Sequence, residues 1–335
     1  MSEEMYQKLN YYLNDFFLYL QKNHPIFLAN LDNFCNINNE IINEFNGNYD
    51  AKIKSYNLKY DEVYYFAREI VESIDCKYLE KFDAILDSGI LNFSYENEYT
   101  DSHYRYIYDY KKRTGYSEIN INRCFCYTDV TTLIHEFFHY TNRDSIPTNN
   151  GVFLTEFVSI YFEEYAKRYL INEKKLSDDD VGLKLRILNL ILMNREFNDF
   201  CLILLAFDKL GNLSKKASQD MENILLISDK TFENECKILL NKFENSNDIE
   251  IVCENLTFQY PYLICTILAY YALNNNDMKD IIKLNDLLKN EKYNSYDFIE
   301  LLEKINIDIT NDSVFYDAFT SMQKILNSDK LKKQI

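Results

Sequence analysis

Apolar side chains recur every three or four positions over much of this chain, beginning with Tyr6, Leu9, Leu13, Phe16, Phe17 and Leu20. That spacing gathers them on one face of a helix. The same period predicts helices over residues 60–74, 129–141, 152–170, 181–209, 257–273 and 313–326. Between residues 90 and 127 the pattern changes. Ile119, Ile121, Arg123, Phe125 and Tyr127 alternate with Asn120, Asn122, Cys124 and Cys126, a period of two that predicts a strand. The polar segment 141–151, with Pro147 and Asn149-Asn150-Gly151, predicts a loop between two helices. The expected architecture is mainly α, with a small β-sheet preceding the helix at 129–141. A helical region over residues 1–88 would pack with a region over residues 89–335 as one unit.

Composition narrows the range of partners. The chain has 335 residues, 47% of them hydrophobic, enough for a buried core. Its 53 acidic and 36 basic side chains give a formal charge of −17, which repels nucleic acid and anionic membrane surfaces, so neither is expected as a partner. The apolar stretch 187–207 is broken by Asn194, Arg195, Glu196, Asn198 and Asp199 and reads as buried helix rather than a membrane span. The acidic start Met1-Ser2-Glu3-Glu4-Met5 lacks the pattern of a secretory signal. Eight cysteines without a dense framework read as reduced core thiols of a cytoplasmic protein. Cys124-Phe125-Cys126 has no second cysteine pair near it and is not read as a metal site.

The chemistry lies at His135-Glu136-Phe137-Phe138-His139. Residues four apart on a helix stand one turn apart on the same face, so both imidazoles can reach one ion, while Glu136 is placed to take a proton from an activated water. Such a centre holds Zn2+ with three protein ligands and leaves one position for water or substrate. The two other histidines, His24 and His103, do not stand at the spacing of a third ligand, which favours a carboxylate. Glu156, near the start of the next predicted helix, is the candidate if that helix packs antiparallel to the first.

The sequence around this motif resembles the oligoendopeptidase F and thimet oligopeptidase group of zinc metallopeptidases, the gluzincins with a downstream glutamate. Thr131-Thr132-Leu133-Ile134-His135-Glu136-Phe137-Phe138-His139, led by Asp129-Val130, is similar to the D-V-x-T-L-x-H-E-x-x-H of that group, and Lys112-Arg113-Thr114-Gly115-Tyr116 to its basic, glycine-containing turn. Phe153-Leu154-Thr155-Glu156-Phe157-Val158-Ser159 followed by Glu163 is similar to its F-x-x-E-x-x-S-x-x-x-E. The resemblance implies a zincin-like helical fold with one zinc per chain, Glu156 as third ligand, and Glu163 as a carboxylate steadying a ligand histidine. It also implies that Tyr262, in Phe258-Gln259-Tyr260-Pro261-Tyr262, or Tyr260, stabilises an oxyanion.

The chain departs from the group at Phe138, where a glycine is common, and at Ile264 and Thr266, where further tyrosines are expected; a nearby histidine is also missing. The activity implied is hydrolysis of internal bonds in oligopeptides, with the extended substrate along the edge of the strand 118–127. The alternative is a binding protein that keeps the scaffold without catalysis.

Overall fold

A computed structural model describes residues 56–95, 102–109, 114–142, 151–184, 186–190, 249–288, 295–309, 311 and 313–327. The helix expected over residues 6–20, the loop through 143–150, the distal part of the helix expected at 181–209, and His24, Lys112 and Arg113 lie outside these residues. The described elements are α1 (Tyr60–Ile74), α2 (Leu79–Asp87), β1 (Leu91–Ser94), β2 (His103–Asp109), β3 (Thr114–Asn122), α3 (Thr128–Thr141), α4 (Gly151–Lys174), α5 (Ile249–Asn275), α6 (Met278–Leu288), α7 (Ser295–Lys304) and α8 (Ser313–Leu326). The fold is therefore mainly α with one small sheet.

The 24-residue α4 is the axis of the molecule. Phe153, Leu154, Phe157, Val158, Ile160, Phe162, Ala166 and Leu170 are all buried, too many for one stripe, so the helix is covered on several sides. It packs against α3, α5, α6 and α7. One continuous apolar cluster runs from Leu58 before α1 to Leu326 at the end of α8. Among the described residues no helix is long and apolar enough to cross a membrane.

The sheet has the order β1-β3-β2, with β3 parallel to β1 and antiparallel to β2. Leu91 pairs with Ile119 and Ser94 with Asn122 on one side, while His103 pairs with Asn120 and Asp109 with Thr114 on the other. Ile119 and Ile121 are buried as the alternation requires. Three expectations need correction. The strand stops at Asn122 although the alternation continues to Tyr127, because Phe125 takes a left-handed backbone with φ 57°. Thr114, Gly115 and Tyr116 belong to β3 and not to a turn, with Gly115 leaving room for the Tyr106 side chain of β2. Finally, residues 119–122 of β3 are paired with β1 on one side, and 119 and 120 also with β2 on the other, so this stretch offers no free edge to a peptide; among the described residues the outer strands are β1 and β2.

The link from sheet to α3 is held by Asp129. Its buried carboxylate accepts the backbone N–H groups of Cys124 at 2.9 Å and Phe125 at 3.0 Å, a local clamp that turns the chain and satisfies donors ahead of the helix. Arg123 lies 3.8 Å from the same carboxylate and over the Phe125 ring. At the other end of α3, Thr141 receives a hydrogen bond of 3.2 Å from the buried Asn285 of α6, whose Nδ2 also donates to the Tyr78 hydroxyl at 2.8 Å. The thiols of Cys76, Cys124, Cys126 and Cys265 are free. Of these, Cys126 and Cys265 are core thiols as expected, whereas Cys76 and Cys124 are exposed.

Candidate metal centre

The site forms where α3 lies against α4. His135 and His139, one turn apart, direct their Nε2 atoms to the same point, 3.0 Å from one another. Glu156 of α4 faces them: its Oε1 is 3.4 Å from His139 Nε2 and its Oε2 is 3.6 Å from His135 Nε2. One ligand atom from each of the three residues lies within 4.8 Å of the others. Glu156 Oε2 is buried and makes no hydrogen bond. A buried carboxylate oxygen without a donor is costly, and two imidazole nitrogens facing it cannot both act as its donors once one is committed elsewhere. The donor set, two imidazoles and one carboxylate, is that of a catalytic zinc site. The residues fit a metal ion.

His135 is so committed. Its Nδ1 is 3.1 Å from Glu163 Oε2, which fixes a proton on Nδ1 and leaves the Nε2 lone pair free toward Glu156 and His139. Glu163 is held in turn by Lys167 Nζ at 2.9 Å and Arg186 Nη2 at 3.2 Å. The fully buried Glu164 accepts from Lys167 at 2.6 Å and from the Tyr270 hydroxyl at 2.9 Å. Two carboxylates and two cations thus share one buried network, the condition under which buried charge is tolerated. Burial alone would raise the Glu163 pKa, but Arg186, then Lys167 and His135, bring it well below the usual carboxylate range.

Charge around these three residues follows the same logic. Burial works against protonated His139, yet Glu156, Glu136 and Glu163 together raise its pKa above the ordinary 6.5. Burial would raise the Glu156 pKa, and His139 with His135 and Arg186 lowers it below 4.5. Glu136 is buried on α3, next to His135 and on the same helix as His139. The ring of Tyr262, on α5, lies parallel to that of His135, with centroids 6.2 Å apart and planes 10° apart. Burial foremost, then the charges of Glu156 and Glu136, pushes its pKa well above 10, so the phenol keeps its proton. The Tyr260 side chain lies outside the described residues. Phe138, where the resembling family often has glycine, is fully buried and stacks on Phe162 of α4 with centroids 3.9 Å apart.

The fold is one that solved peptidase structures share. A protein from Bacillus anthracis str. Ames provisionally assigned as oligoendopeptidase F aligns over 89% of this chain and 56% of its own, with 14% identity and a TM-score of 0.51. Another structure provisionally assigned as oligoendopeptidase F aligns over 90% of this chain and 58% of its own, with 12% identity and a TM-score of 0.52. PZ peptidase A, solved with an inhibitor, aligns over 96% of this chain and 58% of its own, at 12% identity and a TM-score of 0.50. At these identities the likeness is one of fold, and this chain spans less than two thirds of the length of each. No family model and no curated protein matches the sequence.

Of the residues expected at the site, the structure brings together His135, His139, Glu156, Glu163 and Tyr262, with Glu136 on the same helix turn. Sequence reasoning missed Lys167, Arg186, Glu164 and Tyr270. Lys167 had a signal, since it stands four residues after Glu163 and three after Glu164, the spacings of a helical ion pair. Arg186 had none.

Proposed function

We propose that this chain is a zinc metalloendopeptidase that hydrolyses internal bonds of oligopeptides, with His135, His139 and Glu156 as the metal ligands. The observation that carries the reading is the convergence of these three donors around a buried carboxylate oxygen with no hydrogen bond. When bound, zinc would supply Lewis acidity, lowering the pKa of water and polarising a carbonyl. Glu136, next to the first ligand, takes the proton of the attacking water and delivers it to the leaving amine. The protonated phenol of Tyr262 donates toward the oxyanion of the tetrahedral intermediate. Glu163 holds His135 in the tautomer that ligates. An extended substrate adds along an outer strand. We favour β2, because Tyr104 on that strand packs against Tyr140 of α3, with ring centroids 6.2 Å apart.

The test is Glu136→Gln, which preserves size but removes the base. The parent should contain one zinc per chain and cleave a panel of internally quenched peptides, with chelator abolishing cleavage and zinc restoring it. The variant should keep its zinc and lose turnover by at least ~10²-fold. Equal cleavage by both would exclude Glu136 as the base. Bound zinc without cleavage in either would point instead to a zincin-like binding protein.

A further inference from the structure

Four contacts close a ring around the proposed ligand His135. Its Nδ1 meets Glu163 Oε2 at 3.1 Å, and the same oxygen accepts from Arg186 Nη2 at 3.2 Å. The Arg186 guanidinium carbon lies 5.8 Å from the centroid of the Tyr262 ring, and that ring is stacked on His135 at 6.2 Å. Arg186 therefore links α4 and α5 directly and reaches His135 of α3 through both of them. We propose that Arg186 is a positioning residue that sets His135 and Tyr262 relative to each other, an inference that rests on the metal reading above.

The chemistry of the group explains why it suits this place. A guanidinium is a flat, permanently charged fork: its edge can donate to Glu163 while its face lies over the phenol ring. An ammonium is a point charge and cannot satisfy both directions from one stem. The position of the fork is itself fixed. Gly182 takes φ 66° and packs so closely on Thr128 at the start of α3 that an added Cβ would lie 3.2 Å from its methyl group. The Arg186 backbone N–H donates to the Gly182 carbonyl at 3.0 Å, so the guanidinium rises one turn beyond an anchored glycine. Charge balance calls for a second cation beside Lys167, which donates to both Glu163 and Glu164, but it does not call for a fork, since a second ammonium would balance the two carboxylates equally well. The Arg186 side chain is also 24% exposed, whereas that of Lys167 is 4% exposed, so the arginine stands at the boundary between the buried network and solvent.

Arg186→Lys separates positioning from neutralisation, because it keeps the charge and loses the fork. The readouts are zinc affinity by competition with a chromophoric chelator, the visible spectrum of the cobalt-substituted protein, and kcat and KM separately. The expected result is a cooperatively folded variant whose zinc affinity falls at least 10-fold, within the range seen when a partner of a ligand histidine is lost. Its cobalt spectrum should be altered, and kcat should fall more than KM changes. Should the lysine variant melt below assay temperature, Arg186→Ala with added ethylguanidinium carries the same test: restored zinc affinity supports the inference, and restoration by ethylammonium to the same degree overturns it. Parental zinc affinity and cobalt spectrum in Arg186→Lys overturn the positioning role while leaving the metal centre intact. A parent that takes up neither zinc nor cobalt overturns the metal reading, and this inference with it.

Discussion

At the scale of single residues, the site is a set of protonation states fixed by neighbours. His139 illustrates this. Its pKa is raised above 6.5 because three carboxylates outweigh the burial that opposes its charge, so in the metal-free protein it contributes stability that is fully present below pH 6.5 and lost as pH rises through its folded value. A metal held as proposed would displace that proton. Zinc uptake should therefore release protons at neutral pH, and affinity should begin to fall at a higher pH than for an ordinary histidine. Calorimetry in buffers of different ionisation enthalpy measures the release, and Glu156→Gln should reduce it along with zinc affinity. Glu163 has the opposite sign: its depressed pKa gives stability that is present above 4.5 and lost as pH falls through the folded value. His135, Glu136 and His139 were legible because their spacing is fixed by the helix itself. Glu163 was legible only through a family resemblance. Arg186 was not legible, because the apolar period over residues 181–209 predicts a helix there but does not report which of its polar side chains reaches Glu163 in space.

At the scale of elements, α3 and α4 are held at their separation by an aromatic pair. The rings of Phe138 and Phe162 stack at 3.9 Å, and Tyr78 packs edge-on against Phe138 with centroids 5.4 Å apart. Phe138→Ala should cost about 3–5 kcal/mol of stability, the usual range for emptying a buried phenylalanine site. Thermal or urea unfolding of the metal-free protein checks this. Phe162→Ala should cost a similar amount, and the double variant less than their sum, since one cavity serves both. The α1 and α8 boundaries were readable from apolar periodicity because each buries one face. The helices α2, α6 and α7 went unread, being only 9 to 11 residues long, short for a periodic signal. The end of β3 was misplaced because alternation in the sequence does not report that Asp129 turns the backbone at Cys124 and Phe125.

At the scale of the whole molecule, Asn285 joins parts of the chain that are far apart in sequence. From α6 it donates to the hydroxyls of Tyr78 and Thr141, all three buried. Asn285→Leu should destabilise the fold by about 1–3 kcal/mol, because it leaves buried hydroxyls without this donor; unfolding by denaturant at unchanged slope is the measurement. The sheet has a further consequence. Its middle strand is locked in register from both sides, and a slip by one residue would turn Ile119 and Ile121 outward. The strand is thus a fixed reference point from which the chain counts forward to α3 and its two histidines. Removing or adding one residue between Asn122 and Thr128 would rotate α3 by about 100° if the helix kept its place, carrying both imidazoles away from Glu156. The length of that short segment is therefore as constrained as the positions of His135 and His139 themselves.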